Sequence, residues 1–231
     1  MARFDVLMIT TSAAAMGDAV PMTGLWFEEL AAPYYAFVDA GAAVTVASIA
    51  GGDVPLDPRS VKPRGENGAS VERFLGDATA SRALAASQAV ADVAVAAFDA
   101  VFLPGGHGTM VDLPGSAALA SGLGAAWASG RVVAAVCHGP AGLVGVRDAD
   151  GAPLVKGRRV TAFSDSEERA VGLDGAVPFL LEARLRALGA RYVCTADFEP
   201  FAVADGRLVT GQNPASAEPA ARMVLDILDA R

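Results

Sequence analysis

Histidine and cysteine are both scarce in this chain, with two of each among 231 residues. Two cysteines, Cys137 and Cys194, cannot build the disulfide framework of a small secreted domain and fit a reducing cytosol. No CxxC or HExxH spacing occurs, so the sequence offers no pattern for a zinc site. No GxGxxG fingerprint or P-loop occurs either, which argues against a dinucleotide or nucleoside triphosphate. Positive charge is in deficit, with 18 Lys and Arg against 26 Asp and Glu, a net charge of -8 and a pI near 4.7. That balance disfavours nucleic acid or an anionic membrane as partner. Mean hydropathy is +0.39, yet no apolar run reaches the roughly 18–20 residues of a membrane span. The first residues, Met-Ala-Arg-Phe-Asp-Val-Leu-Met-Ile-Thr, read as a strand and not as a signal peptide, so a cytoplasmic location is expected.

What is present is a core. At 53% hydrophobic and 19% charged, the chain can bury a large interior, and its length fits one α/β domain over residues 1–231. Strand and helix signals alternate. Phe4–Thr10, Ala43–Ile49, Asp99–Leu103, Arg131–Val136, Arg158–Phe163 and Arg191–Thr195 read as strands. Gly24–Ala40, Val71–Val95 (broken near Gly76-Asp77), Ser116–Ser129, Val177–Leu188 and Pro214–Ala230 read as helices. Gly51–Gly68 is a loop or flap, and Asp205-Gly206 within Phe201–Thr210 is a two-residue hairpin signal. The alternation predicts a doubly wound, mostly parallel sheet with helices on both faces, flavodoxin-like, with a hairpin near the C-terminus.

In such sheets ligands bind beyond the carboxyl ends of the strands. Three strand-end loops carry reactive residues. In Arg131-Val-Val-Ala-Ala-Val-Cys137-His138-Gly139-Pro140 an apolar run stops at a thiol and a tight turn follows. A cysteine at such an elbow, near a helix N-terminus, is expected to have a depressed thiol pKa; a small buried space-filler is the alternative. Cys194, in an apparent strand, reads as a buried structural residue. The loop Pro104-Gly105-Gly106-His107-Gly108 lets backbone amides approach a ligand closely. The third, Phe163-Ser164-Asp165-Ser166-Glu167-Glu168, is an acidic helix start, read alone as an N-cap. Both histidines, His107 and His138, fall in these loops, and a carboxylate (Asp165, Glu167 or Glu168) would be needed to orient His138.

Ala135-Val-Cys-His-Gly-Pro140, Leu103-Pro-Gly-Gly-His-Gly108 and Thr23-Gly-Leu-Trp-Phe-Glu-Glu-Leu-Ala-Ala-Pro-Tyr34 resemble the ThiJ/PfpI superfamily, which has the class I glutamine amidotransferase-like fold. Phe163–Leu173 and Asp205–Ser216 place the resemblance in its glutathione-independent glyoxalase III and heat-shock chaperone branch. The resemblance implies Cys137 as nucleophile, His138 beside it, Glu168 as the third acid with Glu167 as its one-residue alternative, and Glu29 in preference to Glu28 as the acid on the first helix. It also implies an oxyanion hole and substrate site from Gly105, Gly106, the amide of His138, His107 and Trp26. No histidine follows position 138, so the HxE motif of glutaminase members is missing. The metal-binding histidine pair of the larger chaperones is not expected, and no metal or other cofactor is implied.

The expected activity is conversion of methylglyoxal and related dicarbonyls to hydroxy acids through a cysteine hemithioacetal, in a homodimer. A deglycase or holdase chaperone, or a cysteine redox sensor, is the alternative.

Overall fold

The structure, a computed structural model, describes residues 2–18 and 20–231. Seven strands form one sheet: β1 (Asp5–Thr10), β2 (Ala43–Ser48), β3 (Gln88–Ala89), β4 (Ala100–Leu103), β5 (Val132–Val136), then β8 (Ala202–Asp205) and β9 (Leu208–Gly211). Their order is β3-β2-β1-β4-β5-β9-β8. All neighbours are parallel except β8 and β9, whose antiparallel pairing is the hairpin predicted at Asp205-Gly206. Two further strands, β6 (Arg159–Val160) and β7 (Arg191–Tyr192), were expected in the main sheet but pair only with each other.

Helices cover both faces. The larger ones are α1 (Phe27–Asp39), α2 (Ala69–Gly76), α3 (Ala78–Ala85), α5 (Ala117–Ala128), α7 (Leu181–Ala187) and α8 (Ala217–Asp229), with short α4 (Thr109–Asp112) and α6 (Asp165–Ala170) at strand ends. The strand pleat explains the two cores. Val6, Met8, Phe102, Val132, Ala134 and Val136 face α1, α2, α3 and α8. Leu7, Ile9, Val101, Leu103, Val133 and Ala135, one residue out of step, face α5 and α7. On α1 the apolar positions Phe27, Leu30, Ala31, Tyr34 and Phe37 repeat at helical spacing and are all buried. No helix of the described residues is long and apolar enough to cross a membrane.

The register brings the chemistry to one level. Leu103 pairs with Ala135, and Val136 with Gly211, so β4, β5 and β9 end side by side. The chain runs outward from β1 to β2 and β3 on one side and from β4 to β5 on the other. That reversal between β1 and β4 is the switch point where open α/β sheets leave a crevice.

Three local expectations need correction. The predicted helix over Val71–Val95 ends at Ala85, because the following residues turn to add β3 to the sheet edge. Cys194 is not in a strand interior: β7 stops at Tyr192 and the thiol is exposed. The Gly51–Gly68 stretch is a loop, as expected, but one tied down along its length and not a flap. Leu25 donates to the Pro55 carbonyl at 2.8 Å and Asp57 donates to the Leu25 carbonyl at 2.9 Å, while Gly52 and Val54 are tied to Ser87 and Leu84.

Candidate active site

Cys137 follows β5 directly and has φ 58°, a left-handed conformation that costs a non-glycine residue of order 1–3 kcal/mol. The strain is held on both sides: the Cys137 amide donates to the Gly211 carbonyl at 2.9 Å, and its carbonyl accepts from Phe163 at 2.8 Å. The elbow therefore exists as predicted, but it opens a five-residue 3₁₀ turn, Gly139–Leu143, and not an α-helix. The expected depression of the thiol pKa is not found. Burial pushes the Cys137 thiol well above its usual range, and the Glu29 carboxyl pushes it further. A resting thiol needs a base at hand, and His138 Nδ1 lies 3.3 Å from Sγ.

Glu29, on the first turn of α1, is fully buried, whereas its neighbour Glu28 is exposed. Glu29 Oε2 accepts from the Gly105 amide at 2.8 Å, and Oε1 has no hydrogen-bond partner. Burial is the main cause that raises its pKa to about 8, so the group is mostly a neutral acid at pH 7. The bond to Gly105 corrects one expectation. That amide is engaged by Glu29, which leaves the Gly106 and His138 amides as the candidate oxyanion donors. Gly105 packs so closely that a Cβ there would lie 2.7 Å from the His138 nitrogen and 2.8 Å from Glu29 Oε2, so only glycine fits.

His138 Nε2 is 2.8 Å from Glu168 Oε2, and His107 Nε2 is 2.8 Å from Glu168 Oε1. One buried carboxylate thus bridges both imidazoles. Burial opposes ionisation of Glu168, but the bonds from His107 and His138 prevail and lower its pKa to about 2. Burial, with the nearby His107 ring, lowers that of His138 to about 4, so it is neutral and competent as a base at pH 7. With both Nε2 atoms donating to the carboxylate, His138 Nδ1 is the acceptor that faces sulfur. Glu167 has a different task. It closes a capping box with Ser164, and its Oε1 accepts from Asn213 Nδ2 at 2.9 Å and from the Phe198 amide at 2.8 Å.

A cavity of about 390 Å³ opens over the sulfur, lined by Trp26, Arg59, Gly106, His107, Cys137, His138, Phe163, Val171, Phe198 and Pro214. Glu29 and Glu168 lie behind this wall. His107, His138 and Glu168 offer ligand atoms within 4.8 Å of one another, the only such metal-type grouping among the described residues. Those atoms are already joined by 2.8 Å hydrogen bonds, so the grouping is a proton-bearing bridge. Arg59 and Phe198 escaped the sequence reading, and Phe163, Val171 and Pro214 lay in its quoted motifs without being named as site residues. They come from loops whose approach to the elbow leaves no mark in residue spacing.

The fold and this site define a class: a doubly wound α/β protein with a cysteine on a strained elbow, a neutral histidine beside it and a buried acid behind it. The chain belongs to the DJ-1/PfpI family, whose match covers residues 25–227. Glutathione-independent glyoxalase HSP31 of Saccharomyces cerevisiae is 32% identical over 89% of this chain and 90% of its own. The crystal structure of glyoxalase III from Candida albicans superposes with a TM-score of 0.90 at 30% identity, covering 99% of this chain and 98% of that one. The Rapid Encystment Protein 24 KDa of Francisella tularensis superposes with a TM-score of 0.92 at 37% identity, over 97% and 99% of the two chains.

Proposed function

We propose that this protein is a glutathione-independent glyoxalase, converting methylglyoxal and related 2-oxoaldehydes to 2-hydroxy acids. The observation that carries the reading is the buried Glu29 carboxyl beside the Cys137 thiol, with a pKa of about 8. A cysteine hydrolase needs a nucleophile, a base and an oxyanion hole. It has no use for a second acid kept mostly neutral behind the sulfur. An internal redox isomerisation does need one, because a proton must leave one carbon and enter the next.

The chemistry balances without an external oxidant. His138 Nδ1 takes the thiol proton as sulfur bonds to the aldehyde carbon C1, and that proton then quenches the alkoxide to give a hemithioacetal. The Gly106 and His138 amides hold the oxygen as charge develops. Glu29, in its carboxylate fraction, removes the hydrogen of C1 as a proton, the electron pair moves to the C2 oxygen, and that oxygen takes over the proton of the C1 hydroxyl. Protonation of C2 by the now neutral Glu29 gives a 2-hydroxyacyl thioester. C1 has been oxidised and C2 reduced, with no nicotinamide or metal. His138, oriented by Glu168, activates water; the C1–S bond breaks, releasing the hydroxy acid and regenerating the thiol. Formally this is a hydro-lyase acting in the direction of hydration. The apolar wall of Trp26, Phe163 and Phe198 limits access of bulk water to the enediol. HSP31 and the Candida glyoxalase III carry the corresponding activity in their names.

The test is lactate release from methylglyoxal without glutathione. Wild type should form lactate, and Cys137→Ala should form none above the uncatalysed rate; equal rates would reject Cys137 as the nucleophile. The assembly we infer is a homodimer with each site built from one chain. Light scattering should give twice the 23.4 kDa chain mass, and mixed Cys137→Ala and Glu29→Gln subunits should recover no activity. Recovered activity would place the site between subunits.

A further inference from the structure

The nucleophile, base and acid account for Cys137, His138 and Glu168, but leave His107 and Arg59 unexplained. His107 is buried, and its ring centre is 4.1 Å from that of His138. Its Nε2 meets Glu168, and its Nδ1 is 3.2 Å from Arg59 Nη2. Arg59 is itself fixed: Nε and Nη2 donate to the two oxygens of Asp57 at 2.9 and 2.6 Å. Asp57 is fully buried and also accepts from Thr23 Oγ1 at 3.0 Å and from the Arg59 amide at 3.0 Å.

A guanidinium only donates hydrogen bonds. Facing Arg59, His107 Nδ1 has to accept, so the ring proton sits on Nε2 and points at Glu168. Glu168 then receives one N–H from each histidine, and a carboxylate with both oxygens so engaged cannot turn. The second of those bonds keeps the His138 proton on Nε2 and its Nδ1 lone pair on the sulfur. We propose that Arg59 and His107 are positioning residues: through Asp57–Arg59–His107–Glu168–His138 they hold the carboxylate in the orientation that turns His138 Nδ1 to Cys137. The assignment rests on the catalytic reading of Cys137, His138 and Glu168, but not on the identity of the aldehyde.

Other charged groups do not supply the same constraint. From α1, Glu29 bonds Gly105 and Glu28 is exposed; from α6, Glu167 bonds Ser164, Asn213 and Phe198. Near the two rings, Arg59 and Asp57 come from the loop after β2, and Cys137 from the elbow. Among these groups Arg59 is the cation hydrogen-bonded to His107, and through that ring its orientation reaches the nucleophile. Its side chain is 42% exposed on the cavity rim, so a variant there can be made without opening the core.

With two histidines in the whole chain, the imidazole nitrogen NMR spectrum contains two rings only, and one substitution assigns them. In a Cys194→Ser background, which leaves a single thiol, both rings should be neutral Nε2–H tautomers at pH 7. Arg59→Met, which removes the donor facing His107 Nδ1, should shift the His107 Nδ1 resonance and slow alkylation of Cys137 by iodoacetamide. His107→Leu should slow alkylation of Cys137 by iodoacetamide at pH 7 by about tenfold or more, as expected when the carboxylate that orients the base is free to turn. His107→Gln, which keeps a donor to Glu168, should recover most of that rate. An Nδ1–H ring in wild type overturns the proposal. So does an alkylation rate unmoved by His107→Leu, or a Gln variant as slow as the Leu variant, which would mean packing alone. If His107→Leu does not fold, Arg59→Met decides alone: an unshifted His107 Nδ1 resonance with alkylation at the wild-type rate rejects the proposal. Wild-type tautomers and thiol reactivity as described, with no turnover of methylglyoxal, would strike the glyoxalase reading and leave this one standing.

Discussion

Glu29→Gln should lower kcat/KM for methylglyoxal by about 10²-fold or more, the scale of a lost general acid–base group. The amide keeps the size of the carboxyl and can still accept from Gly105, but it cannot carry a proton between C1 and C2. Glu28→Gln, one residue away on the exposed side of the same turn, should leave turnover near wild type; the reverse result would put the proton shuttle on Glu28. In wild type, turnover should rise with pH towards about 8 as the carboxylate fraction of Glu29 grows, and this limb should vanish in Glu29→Gln. Stability carries the same signature with a definite sign. The folded pKa of about 8 lies above the ordinary 4.5, so the folded state holds a proton that the unfolded state releases. Stability is therefore fully present below pH 4.5 and declines as pH rises through about 8. Relative to wild type, Glu29→Gln should gain on the order of 3–5 kcal/mol across that window and nothing more above it. Denaturant unfolding at several pH values measures this, and a flat difference would show that Glu29 is not buried as a neutral acid.

Glu168→Gln should cost about 10³-fold or more in kcat/KM, a kinetic loss that outweighs the stability it also gives up at pH 7, where the folded carboxylate with its pKa of about 2 is ionised. The carboxylate accepts an N–H from each of two imidazoles. An amide offers one acceptor and one donor group, so at least one ring has to change its tautomer or lose its bond. If that ring is His138, its Nδ1 carries the proton and no longer accepts from the thiol, the failure expected of a base held in the wrong tautomer. Glu167→Gln should do the opposite. It loosens the tie from α6 to Asn213 and Phe198, lowering stability, while the rate per folded molecule stays near wild type. Kinetics at matched folded concentration separate the two. A larger kinetic loss in Glu167→Gln would transfer the third acid to that position.

The architecture was legible because it is written in periodicity. β-branched runs ending in glycine, proline and acidic turns mark parallel strands whatever they pack against, so the strand-end loops and the elbow at Cys137 could be placed. Where propensity competed with pairing, the reading failed: the alanines after Ala85 favour helix, yet β2 offers an edge that Gln88 and Ala89 complete. The two acidic positions were separable in principle. Ser164-Asp-Ser-Glu167 has the capping-box spacing, which engages Glu167 with the helix start and leaves Glu168 to turn towards the elbow. The thiol pKa was misjudged because a helix N-terminus was assumed where a 3₁₀ turn stands, and because burial outweighs any terminal dipole. The pairing of His107 with the carboxylate that serves His138 lies in the crossing of three loops, and sequence distance says nothing about that crossing.

The stitching of residues 51–60 to the start of α1 has a kinetic consequence. With Leu25 donating to the Pro55 carbonyl and accepting from the Asp57 amide across the Leu25–Leu56 bridge, and Arg59 moored to Asp57, this rim of the cavity stands assembled before any ligand arrives. Substrate diffuses into a finished mouth, without a gate that has to swing shut. Turnover should accordingly be insensitive to added viscogen, and the amides of Leu25 and Asp57 should exchange with deuterium at the same slow rate whether or not the site is alkylated. If its substrates are the small, fast-diffusing aldehydes proposed above, the protein gains little from trapping them and much from being open at all times.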